Sequence, residues 1–124
     1  RILVAEDNNM NMEIISELLT MNGLEVLPAS NGKDAVNLFE SSEEGSISMV
    51  LMDMQMPEMD GCEAAEAIRA LPREDALKVP ILALTGNSGS DDVERAMAAG
   101  MNDFMVKPVQ MKLLAQMMSA YLQH

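Results

Sequence analysis

Three acidic residues directly follow apolar runs that have the character of buried strands. Glu6 and Asp7 follow the run ILVA at 2–5, and Asp53 ends the run SMVLMD at 48–53. Ionising a carboxylate beside apolar side chains costs free energy unless something compensates the charge. Carboxylate oxygens are the ligands that Mg²⁺ prefers in proteins, together with retained waters and phosphate oxygens. The three acids are therefore candidates for a divalent-metal site.

Two further polar residues end later apolar runs. Thr85 ends VPILALT, and Lys107 ends DFMVK. A carboxylate such as Asp53 can act as a nucleophile toward phosphorus and form an aspartyl phosphate. Phosphoryl transfer needs mainly positioning and neutralised charge on the phosphoryl oxygens, which Mg²⁺, an ammonium and a hydroxyl would supply. Each signal alone is weak, but these residue types together at the ends of four apolar runs are much more specific.

The elements that must position these residues are apolar runs alternating with segments of helical periodicity. The first, third and fourth runs are almost continuously hydrophobic, which is typical of parallel strands covered on both faces. Five strand–helix units predict an α/β fold, a doubly wound five-stranded parallel sheet of order 2-1-3-4-5 flanked by five helices. The runs span 2–5, 24–29, 48–53, 79–85 and 103–107, and the helical patterns lie within 12–19, 35–39, 64–71, 93–98 and 113–122.

In such a sheet the carboxyl ends of all strands share one edge, where ligands bind beside the topological switch point. For this strand order the switch point lies between the first and third strands, so Glu6 and Asp7 are expected beside Asp53. Thr85 and Lys107 are expected on the other side of Asp53. The polar stretches 40–46 and 71–78 are predicted to be connectors.

The composition predicts one domain over 1–124. The net charge of −12 argues against a nucleic-acid surface, which needs clustered Lys and Arg, and is compatible with cation binding. Cys62 is the only cysteine, as expected in a reducing compartment, and the only histidine is His124, so hydrolase chemistry that needs an internal histidine is excluded. No apolar run is long enough for a membrane span. Because the chain begins with Arg1, we expect a domain taken from a longer protein.

These motifs together resemble the receiver domain of two-component response regulators, over essentially the whole chain. The resemblance implies that Asp53 is the phosphoacceptor, taking a phosphoryl group from a partner's phosphohistidine with Mg²⁺ required and Mn²⁺ able to substitute. It further implies that the domain catalyses its own phosphorylation and slow dephosphorylation without being a free-standing enzyme. The motifs are ILVAEDN (2–8), VLMDMQMPEMDG (50–61), PILALTGN (80–87) and AAGMNDFMVKPV (98–109).

The resemblance also assigns roles around the phosphoacceptor. Glu6 and Asp7 would hold the metal, and the main-chain carbonyl of Gln55 would complete the protein ligands. The pair is Glu-Asp where Asp-Asp is commoner, so we expect Glu6 to reach the metal through water. Thr85 would be the switch hydroxyl, and Lys107 would contact the phosphoryl group.

Other positions matched by the resemblance concern switching. Phe104 corresponds to the rotating aromatic residue, and Pro108 to a proline typically preceded by a cis peptide bond. Gln55 and Asn87 would tune the phosphoryl lifetime, for which an intermediate value is expected. Phosphorylation would draw Thr85 and the 86–90 loop inward, turn Phe104, and alter the face formed by the fourth predicted helix, fifth strand and fifth predicted helix.

The expected partner is a histidine kinase or a histidine phosphotransfer domain, with no nucleic-acid or membrane contact by this domain. A cytoplasmic location, with a parent that is membrane-anchored in some cases, and a monomer or weak phosphorylation-dependent dimer are expected. The style of the motifs favours a hybrid histidine kinase as parent. A regulator with an output domain and a free-standing receiver remain alternatives.

Two other classes share parts of this pattern. An aspartate-nucleophile phosphatase normally has a second Asp two residues after the first, where this chain has Gln55, and it also needs a cap domain. A flavodoxin-like cofactor binder shares the strand order, but its phosphate loop would be rich in Ser, Thr and Gly. Here that loop is EDNNMN at 6–11, which is acidic and unfavourable to a bare phosphate.

Overall fold

A computed structural model describes residues 1–56, 58–86, 90–107 and 109–122. The predictions that concern Pro57, Asn87, Pro108 and His124 lie outside these ranges. The strands are β1 (Ile2–Ala5), β2 (Val26–Ala29), β3 (Met49–Asp53), β4 (Ile81–Thr85) and β5 (Asp103–Val106). The helices are α1 (Asn9–Met21), α2 (Gly32–Ser41), α3 (Gly61–Arg69), α4 (Glu74–Lys78), α5 (Ser90–Ala98) and α6 (Met111–Leu122).

The strands form one parallel sheet of order β2-β1-β3-β4-β5, which confirms the predicted α/β topology. Every residue of β1, β3 and β4 is buried, whereas β2 and β5 at the sheet edges are only partly buried. Burial on both faces explains why the central strands have continuous rather than alternating hydrophobicity.

Helices cover both faces of the sheet and divide the core into two layers. One layer packs α1 and α6 against the sheet through side chains such as Ile15, Leu19 and Leu114. The other packs α2, α3 and α5 against it through side chains such as Phe39, Ile68 and Ala96. The sheet lies between the two layers, and its carboxyl edge carries the polar residues predicted to form the site.

The helix count and one connector prediction were wrong. The stretch 71–78 contains the short helix α4, which makes six helices in the described ranges instead of five. Contacts distant in sequence hold it: Asp75 accepts from the Gly45 N–H at 2.9 Å, and Arg73 donates to the Phe39 carbonyl at 2.7 Å. Five residues are too few to show a periodicity, so only these tertiary contacts mark the helix.

The other predicted connector, 40–46, begins inside α2, since that helix extends to Ser41. The helices near the site begin with capping side chains: Asn8 accepts from the Asn11 N–H, and Asp60 forms a capping box with Glu63. No helix among the described residues combines the length and the apolarity needed to cross a membrane.

Candidate functional site

The strand register brings the predicted site residues to one edge of the sheet. Ala5 pairs with Met52, so Glu6 and Asp53, each the next residue, emerge side by side. On the other side Asp53 pairs with Leu84, and Lys107 follows Val106, the partner of Thr85. The main-chain N–H of Lys107 donates to the Thr85 carbonyl at 2.7 Å, and this bond fixes the position of Lys107 at the carboxyl edge of the sheet.

The three carboxylates form a compact acidic group. Glu6, Asp7 and Asp53 each offer an oxygen within 4.8 Å of the others. Glu6 is 2% exposed and Asp53 is 4% exposed, whereas Asp7 is exposed to solvent. Two acids thus lie at the buried base of a cleft and the third at its opening. This is the predicted grouping.

The ammonium group of Lys107 forms ion pairs with both buried carboxylates. Lys107 Nζ lies 2.9 Å from Glu6 Oε1 and 2.9 Å from Asp53 Oδ2. Glu6 Oε2 accepts from the Asn8 N–H at 3.1 Å, but Oε1 has no partner with hydrogen-bond geometry in the described part of the chain. The ion pair with Lys107 stabilises the charge on Oε1. The net negative charge of these clustered carboxylates fits a divalent cation.

Burial and neighbouring charges perturb the ionisation of this group. The pKa of Asp53 is raised above its usual value, chiefly because burial disfavours the carboxylate and also because Glu6 is close. Lys107 and the Gln55 N–H, which donates to Asp53 Oδ1 at 3.2 Å, act in the opposite direction. For Lys107, burial alone would lower the pKa, but the contacts with Glu6 and Asp53 outweigh it and raise the pKa. Lys107 is therefore a cation at neutral pH.

The family is decided by comparison with known proteins. The model of the response regulator receiver domain family matches residues 2–119. The chain belongs to this family. The receiver domain is 41% identical to hybrid signal transduction histidine kinase B of Dictyostelium discoideum, over 98% of this chain and 7% of that protein. It is 38% identical to the sensor protein GacS of Pseudomonas syringae pv. syringae, over 94% of this chain and 13% of that protein. The chain thus spans a small fraction of these relatives.

Solved structures agree with the fold of the receiver domain. The receiver domain of sensor histidine kinase PA1611 from Pseudomonas aeruginosa PAO1, which has a magnesium ion in its active site cleft, superposes with a TM-score of 0.89. It is 34% identical and matches 99% of this chain and 97% of that one. The receiver domain of Ssk1 from Saccharomyces cerevisiae, crystallised with the phosphotransfer protein Ypd1, has a TM-score of 0.87 at 30% identity over 97% of this chain and 86% of that one.

Some residues of this receiver domain that line the cleft were not among the site residues predicted from the sequence. Asn11, Met56 and Asp92 face the cleft beside Asp53 and Lys107. They lie in α1, in the β3–α3 loop and in α5, whereas the reasoning from residue types considered strand ends and the resemblance added only Gln55 in that loop. Their positions depend on how the helices pack above the sheet edge. A signal for Asn11 exists, since it lies in the first turn of the helix that follows the acidic pair.

The two predicted switch residues lie on the side of Asp53 toward β5. Thr85 is fully buried at the end of β4, and Phe104 is half-buried against the core layer of α2, α3 and α5. Phe104 pairs in register with Ala83, two residues before Thr85. The sheet therefore brings both residues to one side of Asp53.

Proposed function

We propose that this receiver domain accepts a phosphoryl group on Asp53 from a phosphohistidine and acts as a switch in a phosphorelay. The observation that carries the proposal is the position of the Asp53 carboxylate. It lies at the base of an open cleft, 2.9 Å from an ammonium and among two further carboxylates. Burying a carboxylate lowers the stability of the folded state, and a catalytic or binding role explains why such a residue is present.

The residues of the cleft fit a Mg²⁺ ion. We assign Asp7, Asp53 and the main-chain carbonyl of Gln55 as ligands, with Glu6 acting through water because its Oε1 is already paired with Lys107. When bound, Mg²⁺ neutralises charge on phosphoryl oxygens. Mn²⁺ accepts the same oxygen ligands and is expected to substitute.

The chain's own residues prepare the transfer. An oxygen of the Asp53 carboxylate attacks phosphorus, the bond from phosphorus to the imidazole nitrogen breaks, and the electron pair of that bond stays on the imidazole. Lys107 favours the ionised carboxylate before the reaction and offsets phosphoryl charge after it. The Gln55 N–H holds Asp53 Oδ1, which restricts the rotation of the carboxylate.

The switch is a change in the packing of Thr85 and Phe104. The added charge on Asp53 favours a conformation in which the Thr85 hydroxyl approaches the phosphoryl group and Phe104 turns toward the vacated space. Phosphorylation must favour one packing differentially for this to work. The face that changes consists of α5, β5 and α6, and a downstream partner recognises it.

The partner is a histidine kinase or a histidine phosphotransfer domain, and the surface at the cleft supports this. Met10 and Ile14 of α1 are exposed apolar side chains, and Asn11 between them lines the cleft. We infer that a partner presenting a phosphohistidine to Asp53 contacts this surface, because it borders the cleft. The similarity to hybrid histidine kinases supports a hybrid histidine kinase as parent. The Ssk1 receiver domain crystallised with Ypd1 supports relay to a phosphotransfer domain. We propose a cytoplasmic location for the domain.

A phosphotransfer assay tests the proposal. Purified domain is mixed with a histidine phosphotransfer domain carrying radiolabelled phosphate, with Mg²⁺ or with EDTA. Wild type and Glu44→Gln, which changes an exposed acid outside the cleft, should be labelled only with Mg²⁺. Asp53→Asn should stay unlabelled. Equal labelling of Asp53→Asn would show that Asp53 is not the acceptor.

A further inference from the structure

Gly32, the first residue of α2, packs against the main chain of the β3–α3 segment. The Gly32 N–H donates to the Met59 carbonyl at 3.1 Å. A Cβ atom at position 32 would lie 2.2 Å from that carbonyl oxygen and 2.9 Å from its carbon, closer than real Cβ contacts occur. Because the obstacle is backbone, no rotamer change can relieve it. Only glycine fits while α2 and the segment keep their positions.

The same segment is held at its two ends beside the phosphoacceptor. The Gly61 N–H donates to the Met54 carbonyl at 3.2 Å, and a Cβ at position 61 would lie 2.2 Å from the Asp53 carbonyl oxygen. Glu58 has a φ of 66°, which is uncommon for a residue other than glycine. A backbone of this kind persists only where its surroundings determine it. The contact from α2 is part of those surroundings.

Gln55 lies between Asp53 and these contacts. Its N–H donates to Asp53 Oδ1, and its carbonyl belongs to the same short stretch of main chain. Met59, whose carbonyl accepts from the Gly32 N–H, follows Gln55 by four residues in the sequence.

We propose that Gly32 is a positioning residue for the metal site, although it lies outside the cleft. Because Gly32 has no side chain, α2 can pack closely against the β3–α3 segment. This packing positions the Gln55 carbonyl and the Asp53 carboxylate so that both can coordinate one Mg²⁺ ion. This rests on the metal site under the proposed function and adds a residue from a helix whose side chains do not line the cleft.

Calorimetric titration with Mg²⁺ tests the role of Gly32. Gly32→Ala should bind Mg²⁺ about tenfold more weakly than wild type, the scale of losing a residue that orients metal ligands. The matched control is Gly45→Ala. Gly45 has a φ of 83°, and no atom lies within 4 Å of the place that a Cβ would take, so its substitution strains the backbone without touching the segment. The control should lose thermal stability, but its Kd for Mg²⁺ should stay within about twofold of the wild-type value, well below the tenfold change expected for Gly32→Ala.

The inference would be overturned if circular dichroism shows that Gly32→Ala is folded and the variant binds Mg²⁺ with the affinity of wild type. If Gly32→Ala does not fold, Asn31→Ala serves instead, because Asn31 caps α2 by accepting from the Asp34 N–H and its loss loosens the first turn without a clash. Weaker Mg²⁺ binding by Asn31→Ala supports the inference, and unchanged binding overturns it. Wild type that binds no Mg²⁺ contradicts the metal site itself, which separates failure of the proposed function from failure of this inference.

Discussion

Lys107 Nζ lies 2.9 Å from Asp53 Oδ2 and acts to lower the pKa of this candidate phosphoacceptor, while burial, the larger effect, raises it. The same ammonium lies 2.9 Å from Glu6. A single cation thus faces two buried carboxylates, and the site carries excess negative charge. This excess of negative charge would favour binding of the proposed metal ion.

Asp53→Asn should make the metal-free domain more stable. The raised pKa of Asp53 means that the folded state disfavours its ionisation, so a neutral amide removes a penalty at pH 7 while Lys107 keeps Glu6 as a partner. The free energy of unfolding of the variant should therefore be higher than that of wild type, because the amide has no charge to desolvate. Urea unfolding in EDTA measures it, with Glu44→Gln as a surface control. Added Mg²⁺ should stabilise wild type more than the variant, through ligand linkage. A less stable variant in EDTA would refute this view of the site's charge.

Asp75→Asn should destabilise the domain at neutral pH. Burial alone would raise the pKa of Asp75, but the Gly45 N–H and the guanidinium of Arg73 outweigh it and hold the pKa below its usual value. The expected loss at pH 7 is about 1–2 kcal/mol, as for a partly exposed charge-assisted hydrogen-bond pair. A carboxylate with a lowered folded pKa contributes its stability above the unfolded value of about 3.9 and loses it as the pH falls through the folded pKa.

Urea unfolding at pH 7 and at pH 3 checks the Asp75 prediction, because the difference between variant and wild type should shrink at the lower pH. Glu74→Gln is the control, since the Glu74–Lys78 pair is largely exposed. Its effect should stay within about 0.5 kcal/mol. An Asp75→Asn effect that is independent of pH would mean that the carboxylate's charge is not what stabilises α4.

The grouping of the candidate site residues could be predicted from the sequence and α4 could not, for physical reasons. Asp53, Glu6, Thr85 and Lys107 were predictable because parallel strands share one edge and each residue is the first polar one after an apolar run. Helix α4 depends on Arg73 reaching α2 and Asp75 reaching Gly45, contacts that span about thirty residues of chain and leave no local pattern. The close approach of Gly32 to Met59 is likewise visible only in the packed structure.

Asp103→Asn should lower the pKa of Tyr121. The Tyr121 hydroxyl donates to Asp103 Oδ2 at 3.2 Å, and both burial and the negative charge of Asp103 raise the pKa of the phenol. Tyr121 is the only tyrosine and the chain has no tryptophan, so absorbance of the tyrosinate reports this one group. The titration midpoint of the variant should move toward the ordinary value of about 10. An unchanged midpoint, with circular dichroism showing folded protein, would mean that α6 is not linked to β5 through this contact.

Thr85→Ala should uncouple the site from Phe104. Wild type saturated with Mg²⁺ and beryllium fluoride should show amide shift changes at Thr85 and at Phe104, since the buried end of β4 lies between Asp53 and β5. The variant lacks the hydroxyl that approaches the bound group, so the change at Phe104 should fall to a small fraction of the wild-type value. Full retention of the Phe104 shift in the variant would contradict the proposed switch.

The most direct test of the central claim is to locate the phosphoryl group on the wild-type domain. After phosphotransfer with Mg²⁺, borohydride reduction converts an aspartyl phosphate to homoserine, and peptide mass spectrometry identifies the modified residue. We expect homoserine at position 53 and at no other aspartate. Homoserine at Asp7 or Asp60 with position 53 unmodified would contradict the assignment of Asp53 as the phosphoacceptor.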